Sequence, residues 1–133
     1  MNKKLQVRFW CNANGKEPVR DWLKSLLKEE KKDIGDDLKT VELGWPIGMP
    51  TCSHLREGIW EVRTNLSSNK IARVLFYTTN KYLVLVHGFI KKTQKTPNED
   101  IDLALKRKKA SEAITKVKAK AKKVLKKKKK KKK

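Results

Sequence analysis

The sequence predicts an α+β domain, with an N-terminal helical hairpin packed on an antiparallel β-meander and a C-terminal helix to close. Three observations lead there. Residues 19–43 carry apolar side chains at helical spacing. Residues 52–90 hold strand-like runs parted by short polar turns. After Thr96-Pro97-Asn98 the helical spacing returns. A one-sided helix pair and a sheet each need a cover, and here each can cover the other. The 133 residues are enough for one core.

Leu5 to Cys11 opens the chain with strand alternation: Leu5, Val7 and Phe9 face one side, Gln6, Arg8 and Trp10 the other. Asn12-Ala13-Asn14-Gly15 reads as a turn. Pro18 suits the first turn of a helix, where its missing N–H costs nothing. Val19, Trp22, Leu23, Leu26 and Leu27 then make a single apolar stripe. A second helix is expected from about Glu29 to Leu43, with Ile34, Leu38 and Val41 inward and Gly44 as its stop. Trp45 to Pro50 is a rigid loop. A short strand at Cys52–Arg56 precedes strands at Ile59–Leu66, Ile71–Thr79 and Tyr82–Ile90, the last apolar on both faces and so central. Alternation places Leu83, Leu85, His87 and Phe89 on one side of that last strand. A final helix from about Glu99 would dock through Ile101, Leu105 and Leu103.

The net charge of +21 is unevenly spread. Residues 106–133 hold 17 Lys/Arg and one acid, Glu112, which leaves 18 against 13, a net of +5, for residues 1–105. Within that part, residues 51–97 carry eight Lys/Arg against two acids, whereas residues 1–50 are nearly balanced at ten against eight. The division expected is a folded domain over 1–109 and a Lys-rich, low-complexity tail over 110–133, ending in eight lysines and kept disordered or only transiently helical by its own repulsion. A polyanion is the natural partner of such a chain, because each neutralised phosphate releases counterions; the bland alternative is a solubilising surface. Met1–Lys4 is basic, but Gln6 and Arg8 break the apolar run behind it, and no stretch reaches the roughly 20 apolar residues of a membrane span. The expectation is a soluble cytoplasmic protein with no membrane partner, in which Cys11 and Cys52 stay reduced and half-buried.

Chemistry is expected on the exposed face of the meander. Arg63 shares a strand face with Glu61 and Asn65, and Arg73 shares one with Tyr77. If the register sets Arg63 opposite Arg73, like charges face each other, which destabilises the pair unless an anion lies between. A phosphate fits, since Arg grips it bidentately and Lys91, Lys92 and Lys95 add point charges. Each residue also has a plainer reading: Arg63 and Arg73 as surface or salt-bridge residues, His87 as a core or edge histidine, His54 as a loop residue, Tyr77 as packing, the lysines as a solvated face. The acids crowd into residues 17–42, beside lysines, and read as solvated helix faces rather than a metal site. Phosphate-loop, dinucleotide, GxSxG and HExxH patterns are absent, and neither metal nor cofactor is expected.

Several blocks resemble the HigB-like branch of the RelE/ParE toxin superfamily, over about residues 5–107. They are Val7-Arg8-Phe9-Trp10, Glu17-Pro18-Val19-Arg20-Asp21-Trp22-Leu23, Gly44 to Pro50, Leu55 to Arg63, Ile71 to Phe76, and His87-Gly88-Phe89-Ile90-Lys91-Lys92-Thr93-Gln94-Lys95-Thr96-Pro97. The resemblance implies a RelE-like microbial RNase fold, metal-free cleavage of mRNA on the ribosome, and inhibition by a helix-turn-helix, HigA-like antitoxin. It assigns catalysis to Arg63, Arg73, Lys91 and Lys92. Lys95, Arg56, Tyr77, His54 and His87 stand as substrate contacts. Related toxins that act on gyrase leave a non-enzymatic reading open, and a nonspecific nucleic-acid binder driven by the tail is the third. The tail from about Ala110 departs from the pattern.

Overall fold

A computed structural model describes residues 5–46 and 52–112. Most of the tail, from residue 113 on, and residues 47–50 of the expected loop lie outside the described residues. The chain runs β1 (Gln6–Phe9), α1 (Pro18–Lys24), α2 (Lys28–Gly44), β2 (Cys52–Arg56), β3 (Ile59–Asn65), β4 (Ile71–Thr78) and β5 (Tyr82–Lys91). A last helix, α3, covers residues 98–112, beginning beside Pro97 and continuing past the expected domain end at residue 109.

The five strands form one sheet in the order β1-β5-β4-β3-β2. β2 to β5 are the expected antiparallel meander. β1 is added at the far edge, parallel to β5, which makes the sheet mixed. A parallel neighbour needs a long return connection, and here α1, α2 and the other strands supply it. The outer edge of β1 is not left bare, since the Val7 N–H donates to Glu42 Oε2 of α2 at 2.7 Å. β2 and β3 meet through a two-residue turn in which Glu57 (φ 48°) and Gly58 (φ 81°) are both left-handed, as a turn matched to strand twist requires.

Both faces of the sheet are covered. On one, Val19 of α1 and Ile34, Leu38 and Val41 of α2 pack on Val62, Ala72, Val74, Phe76, Leu83 and Leu85. Trp45, just after α2, sets its ring edge-on to Trp60 (centroids 4.9 Å) and Phe76 (5.4 Å). On the other face, Ile101, Ala104 and Leu105 of α3 pack on Ile59, Leu75, Tyr77, Val86 and Phe89. This corrects the expectation of an open face carrying the arginines, because α3 lies across it.

Two further differences have local causes. The expected stripe of α1 does not reach Leu27. Ser25 ends the helix, its Oγ donating to the Trp22 carbonyl at 2.6 Å, and Leu27 becomes the extended first cap of α2, 68% exposed. The Leu27 N–H is taken up by Glu30 Oε1 at 3.1 Å. In β5 the pairing passes from Leu75↔His87 to Phe76↔Leu85, so Val86 is an extra residue, a β-bulge. The bulge breaks the alternation expected along β5. Leu83 and Leu85 face α1 and α2, whereas His87 and Phe89 turn to the α3 side.

Gly88 is the close contact of the first layer, since a methyl group there would overlap the Trp22 ring. Gly88→Ala is expected to force Trp22 out of its seat and lower stability by about 1–3 kcal/mol, the usual range for overpacking. The urea midpoint reads this directly, and an unchanged midpoint would show that α1 is free to shift.

Candidate functional site

The α3 face carries a small lattice of side chains set by strand register. One row is Arg63↔Arg73↔Phe89, and the next is Glu61↔Leu75↔His87. Arg63 and Arg73 are thus directly opposed, the arrangement expected to need an anion. The chain supplies its own. Glu61 Oε1 accepts from Arg63 Nε at 2.6 Å, and its Oε2 lies 3.9 Å from Arg73 Nε. Thr96 Oγ1 donates to the same Oε2. The turn after β5 joins in, as the Gln94 carbonyl accepts from Arg63 Nη2 at 2.7 Å and Arg73 Nη2 at 3.0 Å. Arg73 Nη2 also donates to the Thr93 carbonyl.

The two arginines are not equivalent. Arg73 is fully buried, while the Arg63 side chain is 34% exposed. Burial, then the charge of Arg63, pushes the Arg73 guanidinium below its ordinary value, and Glu61 and Asp100 pull it back; it remains a cation. Its Nε and Nη1 have no hydrogen-bond partner among the described residues. Arg73 therefore organises Glu61 and the 93–96 turn from beneath, and Arg63 is the arginine at the surface.

Beside this pair, α3 contributes Asp100. Its Oδ1 lies 2.8 Å from His87 Nε2 and its Oδ2 3.0 Å from Lys91 Nζ. Glu99 is a longer partner of Lys91, at 3.9 Å. Phe89 joins the two groups of side chains: its ring centroid is 5.3 Å from that of His87, 5.2 Å from Lys91 Nζ and 5.9 Å from the Arg73 guanidinium carbon. Burial pushes His87 below its ordinary value against the opposing pull of Asp100, so the imidazole is neutral at neutral pH. Burial alone would raise Asp100, but its bonds from His87 and Lys91 outweigh that and hold it below the usual carboxylate value.

The structure thus brings together Arg63, Arg73, Lys91 and His87. Lys92 and Lys95 lie exposed on the adjoining loop. A groove of about 410 Å³ opens there, lined among others by Asn65, Asn69, Lys70, Lys92 and Gln94. Three other candidates stand apart. Arg56 pairs with Asp102 and clasps α3 at the far end of the face. Tyr77 is buried under α3 with Lys108 Nζ 5.9 Å from its ring centre, and burial first of all raises its hydroxyl pKa. His54 stacks edge-on with Trp60 on the opposite face (4.9 Å). Glu61, Asp100 and the turn carbonyls were not among the candidates. Glu61 was within reach, two residues from Arg63 on one strand face. Asp100 and the carbonyls depend on how α3 and the turn dock, which strand spacing does not carry.

Cys11 is exposed and Cys52 buried, both as free thiols, so neither is half-buried as expected. Among the described residues no group of three or more His, Cys, Asp or Glu side chains could hold a metal ion, and no helix is long and apolar enough to cross a membrane.

These features define a small α+β domain whose third layer, α3, helps build a cationic cluster on a sheet face. The chain belongs to the family described as Phage derived protein Gp49-like (DUF891), whose model matches residues 21–109, from within α1 to within α3. All the residues of the cluster fall inside that match. No curated protein matches the chain.

Two outcomes test this account of the cluster. Arg73→Met takes one of two guanidinium partners from buried Glu61, which keeps Arg63 and Thr96, and is expected to cost about 1–3 kcal/mol. The loss from Arg73→Met with Glu61→Gln should be smaller than the sum of the two single losses. Additive losses in the urea midpoints would mean that the two side chains are not coupled. The second concerns pH. The folded pKa of His87 lies below the ordinary 6.5, so between the two values the unfolded chain binds the extra proton. Stability should therefore be full above about pH 6.5 and fall as pH drops toward the folded value. His87→Gln should flatten that part of the curve; an unchanged slope would place the effect elsewhere.

Proposed function

We propose that this chain is the toxin of a type II toxin–antitoxin pair, a RelE/ParE-type, HigB-like endoribonuclease that cuts mRNA on the ribosome. In this reading the helices, meander and α3 form a RelE-like fold. The cytoplasm is its place of action, and a helix-turn-helix, HigA-like antitoxin covers its cationic surface. The observation that carries the reading is the opposed Arg63–Arg73 pair with Lys91 beside it, on a face flanked by a polar groove and further lysines.

RNA brings its own nucleophile. The 2′-hydroxyl attacks the neighbouring phosphorus, and charge grows on the phosphorane oxygens. Fixed cations stabilise that charge without reorganising at the moment of reaction. Arg63 and Lys91 are the partly exposed cations, and both are aimed by acids behind them, Glu61 and Asp100. Arg73 acts from below as a positioning residue. Lys92 and Lys95 would meet the flanking phosphates, where each contact adds affinity that salt removes. The lysine tail would add sequence-independent attraction to the same polyanion.

Induced expression followed by mapping of mRNA 5′ ends tests the proposal. Arg63→Gln is the informative variant, because Arg73→Ala would disturb the buried ion pair and confound folding with function. Growth arrest with new 5′ ends inside translated codons is expected from the unaltered chain. Arg63→Gln should lose both, with cleavage down about 10²-fold or more, the usual worth of one transition-state donor. Arrest without new ends would refute the ribonuclease reading and direct attention to a non-cleaving target such as gyrase.

A further inference from the structure

We propose that His87 is the proton acceptor of this site and that Asp100, brought by α3, is the positioning residue that presents it. The assignment rests on the ribonuclease reading above and names the group that reading leaves open.

The geometry is specific. Plain alternation along β5 would bury His87 against α1 and α2, beside Leu83 and Leu85. The bulge at Val86 turns it instead to the face of Arg63, one register row from the arginine pair. α3 holds the bulge from both sides: Arg107 Nη1 donates to the Val86 carbonyl at 2.7 Å, and Asp100 engages His87 Nε2 at 2.8 Å. A carboxylate accepts, so Nε2 carries the proton toward Asp100, and Nδ1 is left with its lone pair. Nδ1 has no hydrogen-bond partner among the described residues. The charged groups around the ring are Asp100 and Arg107 from α3, Lys91 from β5, Arg73 from β4, and Glu61 and Arg63 from β3. Burial outweighs the pull of Asp100, with smaller pushes from Arg107 and Lys91, and so keeps the imidazole neutral and able to take a proton.

The step balances as follows. The bond from O2′ to phosphorus forms while the bond from phosphorus to O5′ breaks. The 2′-hydroxyl proton passes to His87 Nδ1. The electron pair of the broken bond leaves on O5′, which takes a proton from water. The products are a 2′,3′-cyclic phosphate and a 5′-hydroxyl end. Asp100 holds the ring and stabilises the imidazolium that forms, and through Oδ2 it holds Lys91 beside the same phosphate.

Single-turnover cleavage by the full chain on ribosomes programmed with an mRNA tests the assignment, measured from about pH 5.5 to 8.5. The unaltered chain should show an acid limb, rising as His87 deprotonates and then levelling. His87→Gln should lose that limb and about 10²-fold or more of the plateau. Asp100→Asn keeps the shape of the side chain but removes the charge that favours imidazolium. Its limb should move to lower pH and its plateau should fall at least tenfold, with KM little changed; a merely structural Asp100 would leave the limb where it is. If His87→Gln fails to fold, the Asp100→Asn profile decides. Arg63→Gln losing cleavage while His87→Gln and Asp100→Asn keep the rate and limb of the unaltered chain would overturn this assignment alone. An unaltered chain that cleaves nothing would overturn the ribonuclease reading and the assignment together.

Discussion

Two arginines directly opposed on neighbouring strands constrain everything around them. At that spacing like charges repel, and burying one of them, Arg73, makes the cost larger. The fold meets the constraint with Glu61, placed two residues from Arg63 so that one carboxylate reaches both guanidinium groups. Glu61 then needs its own second oxygen satisfied, and Thr96 does that. The Nη2 donors of both arginines draw the Thr93 and Gln94 carbonyls inward. A turn that sequence alone would leave loose on the surface is thereby fixed, and with it the placement of Lys92 and Lys95.

The same logic runs through α3. Its apolar contacts, Ile101, Ala104 and Leu105, pack on Ile59, Leu75, Tyr77, Val86 and Phe89. Its polar contacts reach what the apolar ones leave: Arg107 to the bulge carbonyl, Asp100 to His87 and Lys91, Asp102 to Arg56. A helix docked by apolar side chains alone could slide or rotate on the strands. These charged contacts, spread along its length, fix its register, and the register decides which side chains gather near Arg63. Stability and site geometry are thus coupled in one element, so a change at Asp100 is felt in both.

Much of this order could be read from the sequence, and the limits have physical causes. Period-two and period-3.6 patterns depend on local geometry, so α2 and the strand boundaries follow from spacing to within a residue or two, whereas the opposition of Arg63 and Arg73 hangs on a register that spacing leaves conditional. Val86 defeats the pattern because a bulge inserts one residue and inverts the facing of all that follow; nothing in Val84-Leu85-Val86-His87 marks it. The parallel pairing of β1 is also hidden, since alternation fixes which side chains face inward but not which neighbour a strand takes. Leu27 fits the α1 stripe by spacing, yet Ser25 ends the helix first. Of the site, the Arg63–Glu61 relation is local and readable, while Asp100 and the turn carbonyls arise from docking over long sequence separation.

The distribution of charge takes on a different meaning in three dimensions. Counted along the chain, residues 51–97 carry two acids, Glu57 and Glu61, against eight cations, which suggests a broad basic surface. In the fold, Arg73 is buried, Arg56 is committed to Asp102, and Lys70 lies 3.5 Å from Glu30. What faces outward near the cluster is narrower: Arg63 and Lys91, each backed by an acid, and Lys92 and Lys95 on the loop. Acids behind cations lower the net charge but hold the guanidinium and ammonium groups in one orientation. An anion binding there meets donors already placed, and less of its binding energy goes into ordering long side chains. A purely basic patch of the same net charge would attract an anion as well at long range and hold it less specifically. The acids, few and set behind the cations, therefore separate this cluster from a plain charged surface.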